Sequence, residues 1–129
     1  MIVDASAIVA ILLDEREAGA LAHRLSEASR RATHPISVYE AALAIARVSR
    51  STLEEAQDDV ASFVTDLEMQ VALIGAPETA AALGAFARYG EGRHPARLNM
   101  GDCFSYACAK VRGMPLLYKG DDFARTDLA

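Results

Sequence analysis

The stretch MIVDASAIVAILL, which runs from Met1 to Leu13, decides the fold class. It opens with a short apolar run that ends at Asp4, after which alanine and aliphatic residues continue to Leu13. This order predicts a buried β-strand that passes directly into an α-helix, with Asp4 at the junction. The run meets Asp14 and Glu15 long before it could cross a bilayer, so we interpret it as part of the core.

Further along the chain, short apolar runs alternate with helical patterns. The predicted strands are residues 32–34, 71–74 and 115–118, and the predicted helices are residues 15–28, 37–48, 52–67, 78–89 and 101–111. Ser37 with Glu40, and Thr52 with Glu55, have the spacing of a capping box, which marks a helix start. Strands that alternate with helices indicate an α/β fold with a mainly parallel sheet. We therefore expect one domain, residues 1–129, with a sheet of about four strands flanked by helices.

The composition narrows the chemistry. Hydrophobic residues make up 52% of the chain and no low-complexity tract interrupts it, which indicates a folded globular domain. Cys103 and Cys108 match no zinc or redox spacing, so we expect both to be reduced and buried. The histidines, His23, His34 and His94, follow no metal-ligand pattern, so any bound metal should prefer oxygen ligands. The expected location is the cytoplasm, since no run of about 18 apolar residues indicates a membrane span.

Acidic residues occupy the positions where a site would form, because ligands of parallel α/β sheets bind beyond the carboxyl ends of the strands. Asp4 ends the first predicted strand, and Asp121 and Asp122 follow the last one. Glu40 and Asp102 fall in the first turns of their predicted helices. Since clustered carboxylates repel one another, these side chains predict a site for Mg²⁺ or Mn²⁺. Such a metal can activate water for phosphodiester hydrolysis.

The net charge of −5 argues at first against a nucleic-acid partner, because phosphate binding normally needs a basic surface. The chain has 18 Asp and Glu residues and 13 Lys and Arg residues. If the five candidate acids form one metal site, the remaining acidic residues equal the basic residues in number. The rest of the molecule is then neutral, and a nucleic-acid substrate is compatible with the composition.

Each acid also has a simpler interpretation. Asp4 and Glu40 could each do no more than cap or brace a helix start. Asp102 could pair with Asn99 in the same way, and the two C-terminal acids could be turn residues. Taken singly, capping is the simpler interpretation, but four such coincidences at strand ends and helix starts favour a shared site.

Three further side chains are placed to assist such a site. Ser6, two residues after Asp4, could hold a carboxylate or a metal-bound water through its hydroxyl. Arg47 and Ser105 each share a helical face with the acid of their own helix and could reach a phosphate or the acidic cluster. A solvated surface position is the alternative for Arg47.

Three segments carry a family resemblance. They are the start, MIVDASA, the predicted helix start LNMGDCFSYA at residues 98–107, and the end, PLLYKGDDFARTD, at residues 115–127. Together they resemble a PIN-domain ribonuclease, in particular the VapC toxins of bacterial toxin-antitoxin systems. The resemblance extends over the whole length and implies a single PIN domain.

The resemblance implies a Mg²⁺ or Mn²⁺ site made of Asp4, Glu40, Asp102 and an acid after the last strand, with Ser6 as a supporting hydroxyl. Spacing from the strand favours Asp121 as that last acid, whereas pairing with the following phenylalanine favours Asp122, and the sequence leaves both open.

The activity that the resemblance implies is that of a metal-dependent endoribonuclease, which cleaves RNA and arrests translation. It also implies a homodimer, silenced by a co-encoded VapB antitoxin whose C-terminal segment enters the acidic site. A basic antitoxin side chain can satisfy carboxylates that otherwise hold metal. We expect Arg93 and Arg97, in and just after a loop at residues 90–95, to contact the RNA backbone.

Two other functions have to be weighed. A receiver-type phosphoacceptor domain has a similar size and an acidic Mg²⁺ site, but it needs an Asp after a middle strand, where this chain has Gly75-Ala-Pro77. It also needs a Lys followed by Pro, whereas Lys119 precedes Gly120. A catalytically inactive PIN-like binding module would have lost an acidic position, and none is lost. The preference for RNA over DNA depends on the resemblance alone.

Overall fold

A computed structural model describes residues 1–128. The four strands in that range are β1 (Ile2–Val3), β2 (Ala32–Thr33), β3 (Gln70–Val71) and β4 (Leu116–Leu117). The same described residues form six α-helices: α1 (Ala5–Leu12), α2 (Ala18–Glu27), α3 (Pro35–Ser49), α4 (Leu53–Asp66), α5 (Ala76–Tyr89) and α6 (Met100–Arg112). A short 3₁₀ helix, Asp122–Arg125, follows β4.

The strands form one parallel sheet in the order β3-β2-β1-β4. Ile2 of β1 lies opposite Ala32 on one side and Leu116 on the other. The carboxyl ends of parallel strands meet at one edge of the sheet, so the residues that follow β1, β2 and β4 converge there. The α/β fold with a parallel four-stranded sheet, predicted from the sequence, is confirmed.

Successive residues of a strand point to opposite faces of the sheet, and the core divides accordingly. Ile2 and Leu116 belong to a buried cluster formed mainly with α5 and α6. Val3 and Leu117 belong to a second cluster, formed with α1, α2, α3 and α4. The sheet is therefore the middle of three layers, and helices from both outer layers reach the edge where the strands end.

The start of α3 differs from the prediction. The helix begins at Pro35 with His34 as its N-cap, so Ser37 is not the cap and makes no capping box with Glu40. Proline favours the first position of a helix, because its missing N–H would be unpaired there in any case. Glu40 consequently lies in the second turn of α3 and not in the first.

Other local predictions had mixed outcomes. The third strand is Gln70–Val71, earlier and shorter than predicted, and both residues are exposed at the edge of the sheet. Cys103 and Cys108 are free and buried, as expected. Within residues 1–128 no helix is both long and apolar enough to cross a membrane.

Candidate active site

Asp4 is held by three hydrogen bonds at the end of β1. Its extended backbone makes it the N-cap of α1, and its Oδ2 accepts from the Ser6 amide at 3.0 Å and from the Ser6 hydroxyl at 2.6 Å. The Ser105 hydroxyl of α6 donates to Oδ1 at 2.5 Å. Only 5% of Asp4 is exposed. The capping interpretation of Asp4 is therefore correct, and the same carboxylate is also fixed by a helix from the opposite layer.

Ser6 connects Asp4 to the last strand. While its hydroxyl donates to Asp4, the same oxygen accepts from the backbone N–H of Lys119 at 3.0 Å, just after β4. The chain therefore places Ser6 beside the carboxylate that the sequence associated with it, and ties the ends of β1 and β4 together.

Asp102 lies in the first turn of α6. Its Oδ2 accepts from the Asn99 amide at 3.0 Å, and the Asn99 side chain accepts from the Asp102 amide at 3.0 Å, which completes a capping box. Burial raises the pKa of Asp102 to about 7, opposed by the Asn99 hydrogen bond and reinforced by the charges of Asp4, Asp122 and Glu40. Asp102 therefore caps its helix and lies within the field of the other acids.

Glu40 of α3 reaches across to α6. Burial raises the pKa of its carboxyl group, and the nearby charge of Asp4 raises it further. A side chain at Gly101 would overlap the Glu40 carboxylate, whose Cδ and Oε2 lie 2.6 Å from the position of a Cβ there. The Glu40 carboxylate therefore packs directly against the backbone of the first turn of α6.

Asp4, Glu40 and Asp102 line one cleft of about 560 Å³. Arg47 also lines this cleft, as does Lys119, whose Nζ lies 2.6 Å from a Glu15 carboxylate oxygen. The cleft therefore holds these three carboxylates from distant parts of the chain and a fourth, that of Glu15, together with the cationic side chains of Arg47 and Lys119.

The donor chemistry of the cleft fits Mg²⁺ or Mn²⁺, which take carboxylate and water oxygens. A carboxylate offers about four acceptor positions, and Asp4 uses three of them for Ser6 and Ser105. One acceptor position of Asp4 is therefore free for a ligand. Among residues 1–128 no three Asp, Glu, His or Cys side chains have the arrangement of a metal site. The fit of the cleft to Mg²⁺ or Mn²⁺ therefore rests on its carboxylate donors and on their presence in one cleft.

The two C-terminal acids differ in their relation to the cleft. Asp122 is among the charges that raise the pKa of Asp102, and Asp121 is not. Both side chains are exposed, and neither lines the cleft. Of the two C-terminal acids, Asp122 is therefore the one whose charge acts on Asp102.

The buried side of Asp4 contacts a polar network of three fully buried side chains, His34, Ser37 and Ser105. The sequence patterns do not predict most of these contacts. His34 Nε2 lies 2.8 Å from the Ser105 hydroxyl and 3.0 Å from the Ser37 hydroxyl. The Ser37 hydroxyl accepts from the Ala5 amide at 3.1 Å. Burial lowers the pKa of His34 to about 4, so the ring is neutral at pH 7. His34 is therefore a partner of the serine that holds Asp4.

Arg93 and Arg97 lie outside the cleft. The guanidinium of Arg93 stacks over the Phe86 ring of α5 at 5.4 Å, and Arg97 is exposed with a left-handed backbone. Neither residue lines the acidic cleft. The structure therefore does not bring these arginines together with the carboxylates.

The raised pKa of Asp102 predicts a pH-dependent effect of Asp102→Asn on stability. In the unfolded chain the carboxyl titrates near 3.8 and in the folded chain near 7, so between these values the folded state binds more protons. The contribution of Asp102 to the free energy of unfolding therefore falls as pH rises from about 4 to about 7. An asparagine stays neutral and can still accept from the Asn99 amide.

We expect the stability of Asp102→Asn relative to wild type, measured by urea unfolding in chelator, to increase from pH 4 to pH 7.5. His34 has the opposite slope, because its pKa is lowered, but it is present in both proteins and its effect cancels. A difference that stays constant over this range would show that Asp102 is not buried among other charges as described.

Comparison with known proteins identifies the family. Residues 1–128 match the PIN domain. The chain belongs to the PIN-domain family. A VapC ribonuclease of Rhizobium meliloti is 43% identical, over 98% of this chain and 97% of the relative. A ribonuclease VapC of Mycolicibacterium smegmatis is 41% identical, over 100% of this chain and 98% of the relative. The predicted resemblance to VapC-type PIN-domain ribonucleases is confirmed, and the receiver-type alternative is excluded.

A solved structure agrees with this fold. VapC20 of Mycobacterium tuberculosis, described as a toxin that cleaves the sarcin–ricin loop, superimposes with a TM-score of 0.73 over 95% of this chain and 92% of that one. Its sequence is 19% identical, so the likeness shows the PIN fold and not the substrate.

Proposed function

We propose that this protein is a divalent-metal-dependent endoribonuclease and the toxin component of a type II toxin-antitoxin system. The observation that supports this most directly is the cleft in which Asp4, Glu40 and Asp102 meet beyond the carboxyl ends of the strands. The relatives named VapC ribonucleases support RNA as the substrate, since they align over nearly the whole chain. Cleavage of RNA would inhibit translation.

Asp4, Glu40 and Asp102 would hold Mg²⁺ or Mn²⁺, with Asp122 as the C-terminal acid that we favour. When bound, the metal supplies a water of lowered pKa and charge stabilisation at the phosphate. The protein's own groups set the geometry: Ser6 and the buried serine of α6 orient Asp4, and the Asn99 amide orients Asp102.

The proposed partners are those that the similarity to VapC ribonucleases implies, and the charge of the cleft is compatible with them. A VapB-type antitoxin would insert a basic side chain among the three carboxylates, because a guanidinium or ammonium can satisfy them in place of metal. We propose that the toxin is a homodimer and acts in the cytoplasm. Arg93 and Arg97 remain our proposal for contacts to the RNA backbone outside the cleft.

The test is cleavage of RNA by purified, antitoxin-free protein. Total cellular RNA would be incubated with Mn²⁺ or Mg²⁺, with and without a chelator. The variant Asp4→Asn plus Asp102→Asn would run in parallel with Asp58→Asn plus Asp66→Asn, which removes the same charge from exposed positions of α4. We expect discrete products from wild type and from the α4 variant, and none with chelator or with the cleft variant.

Intact RNA under all conditions, from a folded protein that binds Mn²⁺, would contradict the proposal and indicate an inactive binding module. Products that persist in chelator would also contradict it, because the metal would then not be required. Sequencing the ends of the products would name the RNA target.

A further inference from the structure

Gly101 lies where no side chain fits. It is the second residue of α6 and is buried. The three atoms nearest to the position of a Cβ there all belong to the Glu40 carboxylate: Oε1, Cδ and Oε2. The Cδ and Oε2 distances of 2.6 Å are far shorter than any van der Waals contact of a carbon atom. Only glycine lets the carboxylate of Glu40 lie on the helix backbone at this point.

The backbone itself does not require glycine here. Gly101 lies within a regular helix and lacks a positive φ, unlike Gly92, Gly113 and Gly120. In such a position glycine is less favourable for stability than alanine, because it loses more conformational freedom on folding. The other helical glycines show the contrast, since a Cβ at Gly84 of α5 would meet nothing within 4 Å. The close approach of Glu40 is therefore the feature that distinguishes Gly101.

We propose that Gly101 is a positioning residue, which seats the Glu40 carboxylate against the first turn of α6 and beside Asp102. The inference rests on the proposed metal-dependent function. The N-terminal turn of a helix favours a negative group through its free amides and its dipole, so the first turn of α6 also stabilises a carboxylate at this position. A methyl group at Gly101 would displace the Glu40 carboxylate from this turn and away from Asp102. The protein should still fold, because the displaced atoms are the end of a flexible side chain.

The test compares Gly101→Ala with Gly84→Ala, a matched change in an exposed helical glycine. The affinity for Mn²⁺ would be measured by isothermal titration calorimetry, and thermal unfolding would be measured in chelator. We expect Gly101→Ala to weaken Mn²⁺ binding by roughly 10- to 100-fold, as is typical when a residue that orients a ligand is changed. We expect the unfolding temperature of both variants to equal or exceed that of wild type, and Gly84→Ala to bind Mn²⁺ as wild type does.

A second background, Glu40→Ala, separates positioning of the carboxylate from helix packing. Glu40→Ala removes the atoms that a methyl group would overlap, so Gly101→Ala should cause no further loss of Mn²⁺ affinity when added to it. If Gly101→Ala binds Mn²⁺ as wild type does, or lowers affinity equally in both backgrounds, the positioning role is wrong while the proposed function stands. If wild type itself binds no Mn²⁺, the proposed function and this inference both fail.

Discussion

Replacing Asp4 with asparagine should reduce RNA cleavage on the order of 10³-fold, because the metal's stabilisation of charge is worth several kcal/mol and each 1.4 kcal/mol is a factor of ten in rate. Asp4 is the most buried of the candidate acids, at 5% exposed, and its charge is fixed between two layers of helices. Asparagine removes that charge and leaves a single acceptor oxygen.

The fold should survive this change. Asparagine caps helices about as well as aspartate, so its oxygen can still accept from the Ser6 amide and hydroxyl. Its amide can donate to the Ser105 hydroxyl, which would then accept. The measurement is the single-turnover rate of cleavage of a defined RNA at saturating Mn²⁺, with thermal unfolding as the control for folding. A rate within threefold of wild type would remove Asp4 from the proposed metal site.

Local signals were sufficient for the parts of the site that cap helices. An apolar run followed by Asp4 predicts a strand that turns into a helix, and the structure has that junction. Asn99 and Asp102 have the spacing of a capping box, and each side chain accepts from the other's backbone. These are contacts over three residues or fewer, so the types and spacing of residues are enough to predict them.

Contacts between distant segments were harder to predict. The sequence placed Ser105 on the face of its acidic neighbour, but it could not show that the hydroxyl reaches Asp4, which is 101 residues away. In the sequence His34 is one of three scattered histidines, whereas in the structure it lies beside Ser105, 71 residues later. Pro35 was the missed local signal, because a proline at the first helical position makes the residue before it the cap.

The role of Gly101 also depends on a contact with a distant segment, which the sequence alone cannot predict. Nothing within its helix requires a glycine, and the residue that does, Glu40, comes from a helix in the opposite layer. Local sequence patterns report on backbone conformation and on helix faces. They do not report which atoms of another element come within contact distance, and the details of this site depend on those contacts.

Ser105→Ala should reduce cleavage by roughly 10- to 100-fold, the usual cost of removing a group that orients a metal ligand. His34 Nδ1 accepts from the Ser37 amide at 3.3 Å, so the neutral ring carries its proton on Nε2. That N–H can donate to the Ser105 hydroxyl at 2.8 Å, which leaves the hydroxyl proton of Ser105 to donate to Asp4. Alanine removes both contacts and leaves Oδ1 of Asp4 without its donor.

The loss of activity should exceed what the loss of stability explains. His34 Nε2 keeps the Ser37 hydroxyl as a partner at 3.0 Å, whereas the buried Asp4 carboxylate loses one donor, so the cost in folding should be about 2 kcal/mol. Cys108→Ala is the matched control, since Cys108 lies on α6 and is as fully buried as Ser105, but belongs to the hydrophobic cluster formed with α5 and α6. We expect it to lower the unfolding temperature without changing the rate at saturating Mn²⁺. If Ser105→Ala and Cys108→Ala cleave RNA at the same rate, the buried histidine and serine serve only the packing of the core and do not orient Asp4.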